Sequence, residues 1–152
     1  FKFLGTGCKV KEVLRDLRLS MGDEVKIIPQ FRSDELPALL SKSTVGAFSS
    51  YTEGFGFAVL EKLACGLPVV SYDVPGVREM MCYFEKPMMV KPGNIADFAD
   101  RLVSLLSLDE ESYSHLSRKC VEISQKFAWP EIAAKTLDAY TEFLRKNGLR
   151  YE

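Results

Sequence analysis

The stretch Ser49–Glu79, SSYTEGFGFAVLEKLACGLPVVSYDVPGVRE, decides how the chain folds. It opens as a polar loop ending at Glu53. Gly54 and Gly56 follow, and then an apolar helical run, Phe57 to Ala64, that stops at Gly66. Pro68-Val69-Val70-Ser71 is a short strand, and Pro75-Gly76 turns the chain again. The order is therefore loop, helix N-terminus, helix, strand, turn. Glycines at a helix start let backbone come close to a ligand, and the unpaired N–H groups there favour an anion. Glu53 stands just before those amides. Glu61 lies eight residues on, about two helical turns, so both carboxylates can serve one cleft.

On the N-terminal side, Phe1–Leu4 is a short strand ending in Gly5-Thr6-Gly7, and Val10, Val13, Leu14 and Leu17 mark a helix from Val10 to about Leu19. Gly-x-Gly after a strand invites a dinucleotide reading, yet the third glycine of G-x-G-x-x-G would fall at Val10. A tight strand-to-helix turn without a ligand explains it equally well. Gly22-Asp23-Glu24 is a turn, Val25–Ile28 a strand, and Pro29-Gln30-Phe31-Arg32 a loop. Ser33 is the expected cap of a helix from Asp34 to about Lys42. Thr44–Phe48 is the strand that delivers the central loop, and its apolar run suits a parallel strand covered on both faces.

On the C-terminal side, Val77–Met81 reads as a helical turn, Met88–Val90 as a strand and Pro92–Asn94 as a turn. Asn94 is predicted to cap a helix to about Leu106 with Ile95, Phe98, Leu102 and Leu105 inward. Asp109 to about Phe127 is a charged, half-exposed helix. Trp129-Pro130 opens the last helix, about 130–146, with Ile132, Thr136, Tyr140 and Phe143 or Leu144 on its inner face. Strands alternating with helices through short connections predict an α/β domain, a Rossmann-like doubly wound parallel sheet flanked by helices. Ligands in such sheets bind beyond the carboxyl ends of the strands, where the loop Ser49–Glu53 and the turns at Gly5, Pro29 and Tyr72 should gather.

The 152 residues suffice for one cored domain, 1–152, and are too few for two ordinary ones. A net charge of -1 gives no reason to expect nucleic acid or an anionic membrane as partner. No segment approaches the roughly 20 apolar residues of a membrane span, and no basic-then-apolar start marks a signal peptide. The four cysteines, Cys8, Cys65, Cys82 and Cys120, have no C-x-x-C spacing and read as reduced thiols of a cytoplasmic protein. The lone His115 sits in a polar helix and reads as a surface residue. The chain enters mid-strand at Phe1, which predicts a domain cut from a longer protein.

Glu53-Gly-Phe-Gly-Phe-Ala-Val-Leu-Glu61 resembles the E-x7-E signature of retaining, nucleotide-sugar-dependent glycosyltransferases with the GT-B fold, of the family-four type. Leu63-Ala-Cys-Gly66, Pro68-Val-Val-Ser71 and Pro75-Gly76 with Glu79 are similar to that family's next segment in order and spacing. The resemblance implies the C-terminal, donor-binding half of such an enzyme, with the acceptor-binding domain and the diphosphate-neutralising arginine and lysine upstream of Phe1. It implies that Glu53 acts at the donor sugar, that Gly54, Phe55, Gly56 and Phe57 surround the phosphates, and that Glu61 accepts the ribose hydroxyls. Gly5 and Gly7 match a Gly-x-Gly of the family, and the loop at Pro29 and Gln30 is where the family holds the nucleobase. Pro29 replaces a usual glycine and offers no N–H, which leaves the base open. Phe127-x-Trp129 matches a motif before a final helix that packs back toward the missing domain. Glu79 is expected to cap a turn. Lys62, where the family often has alanine, is expected on the helix surface.

The function implied is transfer of a hexose from a nucleotide-diphosphate sugar to a glycan, lipid or small molecule. No cofactor or metal is expected, since amides and cations do the neutralising and the sequence has no D-x-D pair. The location implied is cytoplasmic, with the missing domain as the part that would meet the inner membrane face. A non-catalytic nucleotide-sugar-binding module, a sugar-nucleotide epimerase and an NAD-dependent oxidoreductase are the alternatives. The incomplete glycine pattern speaks against the last.

Overall fold

Short β-branched and aromatic runs punctuated by glycine and proline give strands of two to four residues, and every pairing among the described residues is parallel. The computed structural model describes residues 1–18, 24–85 and 88–148. Contacts divide the chain into two compact units, Phe1–Lys42 and Ser43–Glu152.

In the first unit, β1 (Lys2–Leu4) pairs with β2 (Lys26–Ile28), Leu4 opposite Ile28. Between them, α1 (Val10–Asp16) buries Val13 and Leu14 and is capped by the Glu12 carboxylate, which accepts from the Lys9 N–H at 3.0 Å. It ends at Leu17, short of the predicted end, because Arg18 turns left-handed at φ 54°. Leu19 and the predicted turn at Gly22-Asp23 lie outside the described residues. Ser33 does not cap the next helix. Ser33–Glu35 form a 3₁₀ turn in which the Glu35 carboxylate reaches back to the Arg32 N–H at 2.7 Å, leaving the serine hydroxyl no capping role. Asp34 is drawn to the Arg32 guanidinium at 3.0 Å. Then α2 (Leu36–Leu40) begins with Pro37 in its first turn and stops before Lys42.

In the second unit the strand order is β3 (Gly46–Phe48), β4 (Val69–Tyr72), β5 (Met89–Val90), with Phe48 opposite Ser71 and Tyr72 opposite Val90. All four residues of β4 are buried, as a central parallel strand requires. Its helices are α3 (Phe57–Ala64), α4 (Pro75–Met81), α5 (Ile95–Leu106), α6 (Glu110–Gln125) and α7 (Trp129–Lys146). Val59 and Leu63 of α3, Val77, Met80 and Met81 of α4, and Cys120 and Ile123 of α6 close the core around β4. Truncating a buried leucine such as Leu63 to alanine would cost about 2–5 kcal/mol.

Several expectations change here. Pro75-Gly76 is not a separate turn but the start of α4, because extended Val74 leads in and proline's fixed φ suits a first helical turn. Glu79 therefore lies on an exposed helix surface and caps nothing. Asn94 caps α5 as predicted, its Oδ1 accepting from the Asp97 N–H at 3.2 Å. Phe98, Leu102 and Leu105 pack on the core, but Ile95 is 75% exposed, since it stands in the first turn ahead of Phe98, whose ring meets Tyr72 at 5.2 Å. Along α7, Ile132 and Leu144 are half-buried, while Thr136, Tyr140 and Phe143 are exposed; the described residues of this unit do not cover that stripe.

Candidate functional site

The loop Ser49–Gly56 leaves the end of β3 and feeds α3. Gly56 makes the entry possible: it is the residue before the helix, at φ +89°, and a β-carbon there would come within 3.1 Å of Val77 and 3.3 Å of Met80. Glycine alone tolerates both conditions. Behind it, Val59 and Leu60 N–H groups return to the Gly56 carbonyl at 2.8 and 3.1 Å. The N–H groups of Phe57 and Ala58, in the first turn, donate to no carbonyl among the described residues. That is the anion-ready end of a helix. The Gly54 amide is not part of this set, since it donates to Glu53 Oε1 at 3.2 Å.

Glu53 is half-buried beside this turn, with its Cγ 3.6 Å from the position a β-carbon on Gly56 would take. Phe55 anchors the loop, its ring 5.0 Å from Phe57 and 5.8 Å from Phe127. Phe57 itself is 59% exposed. Glu61 is exposed on α3. The loop's predicted residues thus come together as a group. In the first unit, Gly5, Gly7 and Pro29 also come together, but with their amides occupied: Gly5 N–H donates to the Ile28 carbonyl at 2.9 Å and Gly7 N–H to the Pro29 carbonyl at 3.1 Å. Gln30 is exposed.

Three features escaped the sequence reading. Lys62 is half-buried, not the exposed helix-surface residue expected. Its stem lies over Gly46, where a β-carbon would meet its Cδ at 2.8 Å, its ammonium donates to the Ala58 carbonyl at 2.8 Å, and it stands 5.9 Å above the Phe48 ring. Burial lowers its pKa, and the neighbouring charge of Glu61 only partly opposes this. A glycine opening a strand opposite a long side chain was the available signal. Second, the Tyr51 ring packs against Tyr72 at 5.2 Å, tilted by 57°. Burial, and then the hydrogen bond with Tyr51, raise the Tyr72 phenol above its usual pKa, against a backbone hydrogen bond from Gly93. Third, Gly76 touches the Glu53–Gly54 peptide. A groove of about 740 Å³ between α5 and α6, floored by Val70, Phe84, Met88, Leu105 and Leu116, holds none of the predicted residues. Among the described residues no three His, Cys, Asp or Glu side chains converge as a metal cage, and no helix is long and apolar enough to cross a membrane. The four cysteines are free thiols, with Cys120 buried and the other three exposed.

Parallel strands flanked by helices give an α/β fold of the GT-B glycosyltransferase type. A solved sucrose-phosphate synthase from Thermosynechococcus elongatus has this fold, superposing with a TM-score of 0.71 over 90% of this chain and 34% of its own at 24% identity. The chain belongs to the glycosyl transferases group 1 family, whose pattern it matches over residues 5–126. It is 32% identical over 143 residues to a D-inositol 3-phosphate glycosyltransferase of Streptomyces bingchenggensis, covering 93% of this chain and 31% of the relative. A protein of the same name from Rhodococcus erythropolis is 29% identical over 97% of this chain and 33% of its own length. The chain thus spans about a third of the length of the curated relatives it matches.

Proposed function

We propose that this chain is the donor-binding part of a retaining glycosyltransferase that takes a hexose from a nucleotide-diphosphate sugar. The observation that carries the reading is Glu53 beside the unpaired amides of Phe57 and Ala58, with Glu61 exposed further along α3. Leaving-group departure builds negative charge on the diphosphate and positive charge on the anomeric carbon. Amides fixed at a helix N-terminus stabilise the first without reorganising, and a carboxylate near the sugar favours the second. Glu61 accepts the ribose hydroxyls. Phe55 and Phe57 wall the phosphate end. The acceptor domain and the diphosphate-binding cations belong to the remainder of the enzyme, onto which the apolar stripe of α7 packs. Transfer needs no metal, and the enzyme works in the cytoplasm. The relatives' names make D-inositol 3-phosphate the first acceptor to try.

The full-length protein should be offered UDP-, GDP- and ADP-hexoses with D-inositol 3-phosphate and a panel of phosphorylated polyols and sugars, with and without EDTA. Turnover of one donor, surviving EDTA, with the donor's anomeric configuration kept in the product by NMR, is expected. An inverted product, dependence on added manganese, or nucleotide binding without any turnover would overturn the reading.

A further inference from the structure

Glu53 can do the work proposed for it only if its carboxylate is held in place. The loop Ser49–Gly56 has no regular structure, and a carboxylate acting on a reacting carbon has to be fixed to within about 0.5 Å. On its C-terminal side, backbone contact with α4 pins Glu53 and Gly54. On its N-terminal side, Ser50 Oγ bonds only within the loop, to the Thr52 carbonyl at 2.7 Å. Tyr51 is the side chain that reaches out of the loop on this side, as Phe55 does on the other. Its ring lies 5.2 Å from Tyr72 at the end of β4, tilted by 57°, and Tyr72 in turn meets Phe98 of α5 edge-on at 5.2 Å. Its hydroxyl sits 3.7 Å from where a β-carbon on Gly93 would stand, in the turn between β5 and α5, and Gly93 is left-handed at φ +83°. Tyr72 is buried, whereas Tyr51 is 66% exposed, so the outer residue gains its order from the inner one.

We propose that Tyr51 is a positioning residue for Glu53: packed at a tilt against Tyr72 and lodged beside Gly93, it tethers the loop on the side that α4 does not reach. Glu53 is then held between two anchors, Tyr51 two residues before it and the Gly54 peptide directly after. An unanchored loop would leave the backbone contact with α4 in place and let the carboxylate swing about it. Because Glu53 acts chiefly in the transition state, the loss would fall on turnover and spare donor binding.

The inference rests on the proposed role of Glu53, and the experiment separates the two. In the full-length protein, Tyr51→Ala, Tyr51→Phe, Tyr72→Phe, the Tyr51→Phe/Tyr72→Phe pair and Glu53→Gln are compared by steady-state kinetics, by titration with UDP, GDP and ADP, and by amide hydrogen exchange without substrate. Tyr51→Ala should lower kcat by about tenfold or more, since a 1 Å misplacement can cost about 10²-fold, with donor KM nearly unchanged. Tyr51→Phe, Tyr72→Phe and the pair keep the ring contact and should give smaller losses than Tyr51→Ala. Amides of residues 52–55 should exchange faster in Tyr51→Ala while the melting temperature holds. If Tyr51→Ala exchanges and turns over as the parent does, or raises KM with kcat intact, the tether is overturned. If Glu53→Gln keeps full turnover, it is the role of Glu53 that falls, while faster exchange in Tyr51→Ala would still stand for the tether.

Discussion

Gly76 lies in such close contact with Glu53 that a β-carbon on it would stand 2.6 Å from the Glu53 carbonyl oxygen and 2.6 Å from the Gly54 carbonyl carbon and oxygen. The first turn of α4 therefore forms the seat of the loop that carries Glu53, and the seat exists because position 76 has no side chain.

Gly76→Ala puts two effects in opposition. Gly76 is helical and not left-handed, so alanine should gain about 1 kcal/mol of helix propensity. The clash is with backbone, which cannot rotate away, and overpacking of this kind costs about 1–3 kcal/mol. The clash should win: a lower melting temperature and turnover reduced at least tenfold, as the loop shifts to make room. A more stable, fully active Gly76→Ala protein would disprove the seating.

Glu53→Gln should lower kcat more than donor affinity. The amide keeps the shape of the carboxylate but not the charge that a positive anomeric carbon calls for, and such a loss appears only in the transition state. Steady-state kinetics decide it. A rise in KM with kcat retained would reduce Glu53 to a binding residue.

Glu61→Ala should do the reverse. Hydrogen bonds to an ionised carboxylate are worth about 1.5–3 kcal/mol, which is about a 10- to 100-fold loss of nucleotide affinity. Glu61 is exposed, so stability should move by no more than about 0.5 kcal/mol. Calorimetric titration with nucleoside diphosphates and a melting curve test both halves. Unchanged affinity with a large fall in melting temperature would make Glu61 structural.

Lys62→Met should stabilise the protein at neutral pH, and the gain should shrink as pH rises. Burial lowers the Lys62 pKa from 10.5 in the folded state, so the unfolded chain holds that proton more firmly. The cost of the buried ammonium is then fully present below the folded pKa and disappears as pH climbs toward the unfolded value. Methionine keeps the apolar stem over Gly46 without the charge. Melting curves of both proteins at pH 7, 8.5 and 10 read it directly. A destabilised variant at pH 7 would show that the bond to the Ala58 carbonyl and the contact with Phe48 outweigh desolvation.

Local patterning determined much of this protein. The period of Phe57–Ala64, the stop at Gly66, the alternation of short apolar strands with helices and the cap at Asn94 are properties of neighbouring residues, and the sequence carried them to the α/β fold and to the family. The loop that carries Glu53 ahead of a helix start, and Glu61 on that helix, were legible for the same reason. Tertiary packing decided the rest. Whether Lys62 faces solvent or lies across Gly46 depends on a strand sixteen residues away, where the missing side chain leaves room for the lysine stem. Whether Gly76 ends a turn or seats a loop depends on how α4 docks, since a missing β-carbon leaves no trace of what occupies its place. Tyr51 reads as one more polar-loop residue until Tyr72 and Gly93 stand beside it. Hydrophobic period is written in the chain order, but a close approach between segments distant along the chain is fixed only when the core has brought them together.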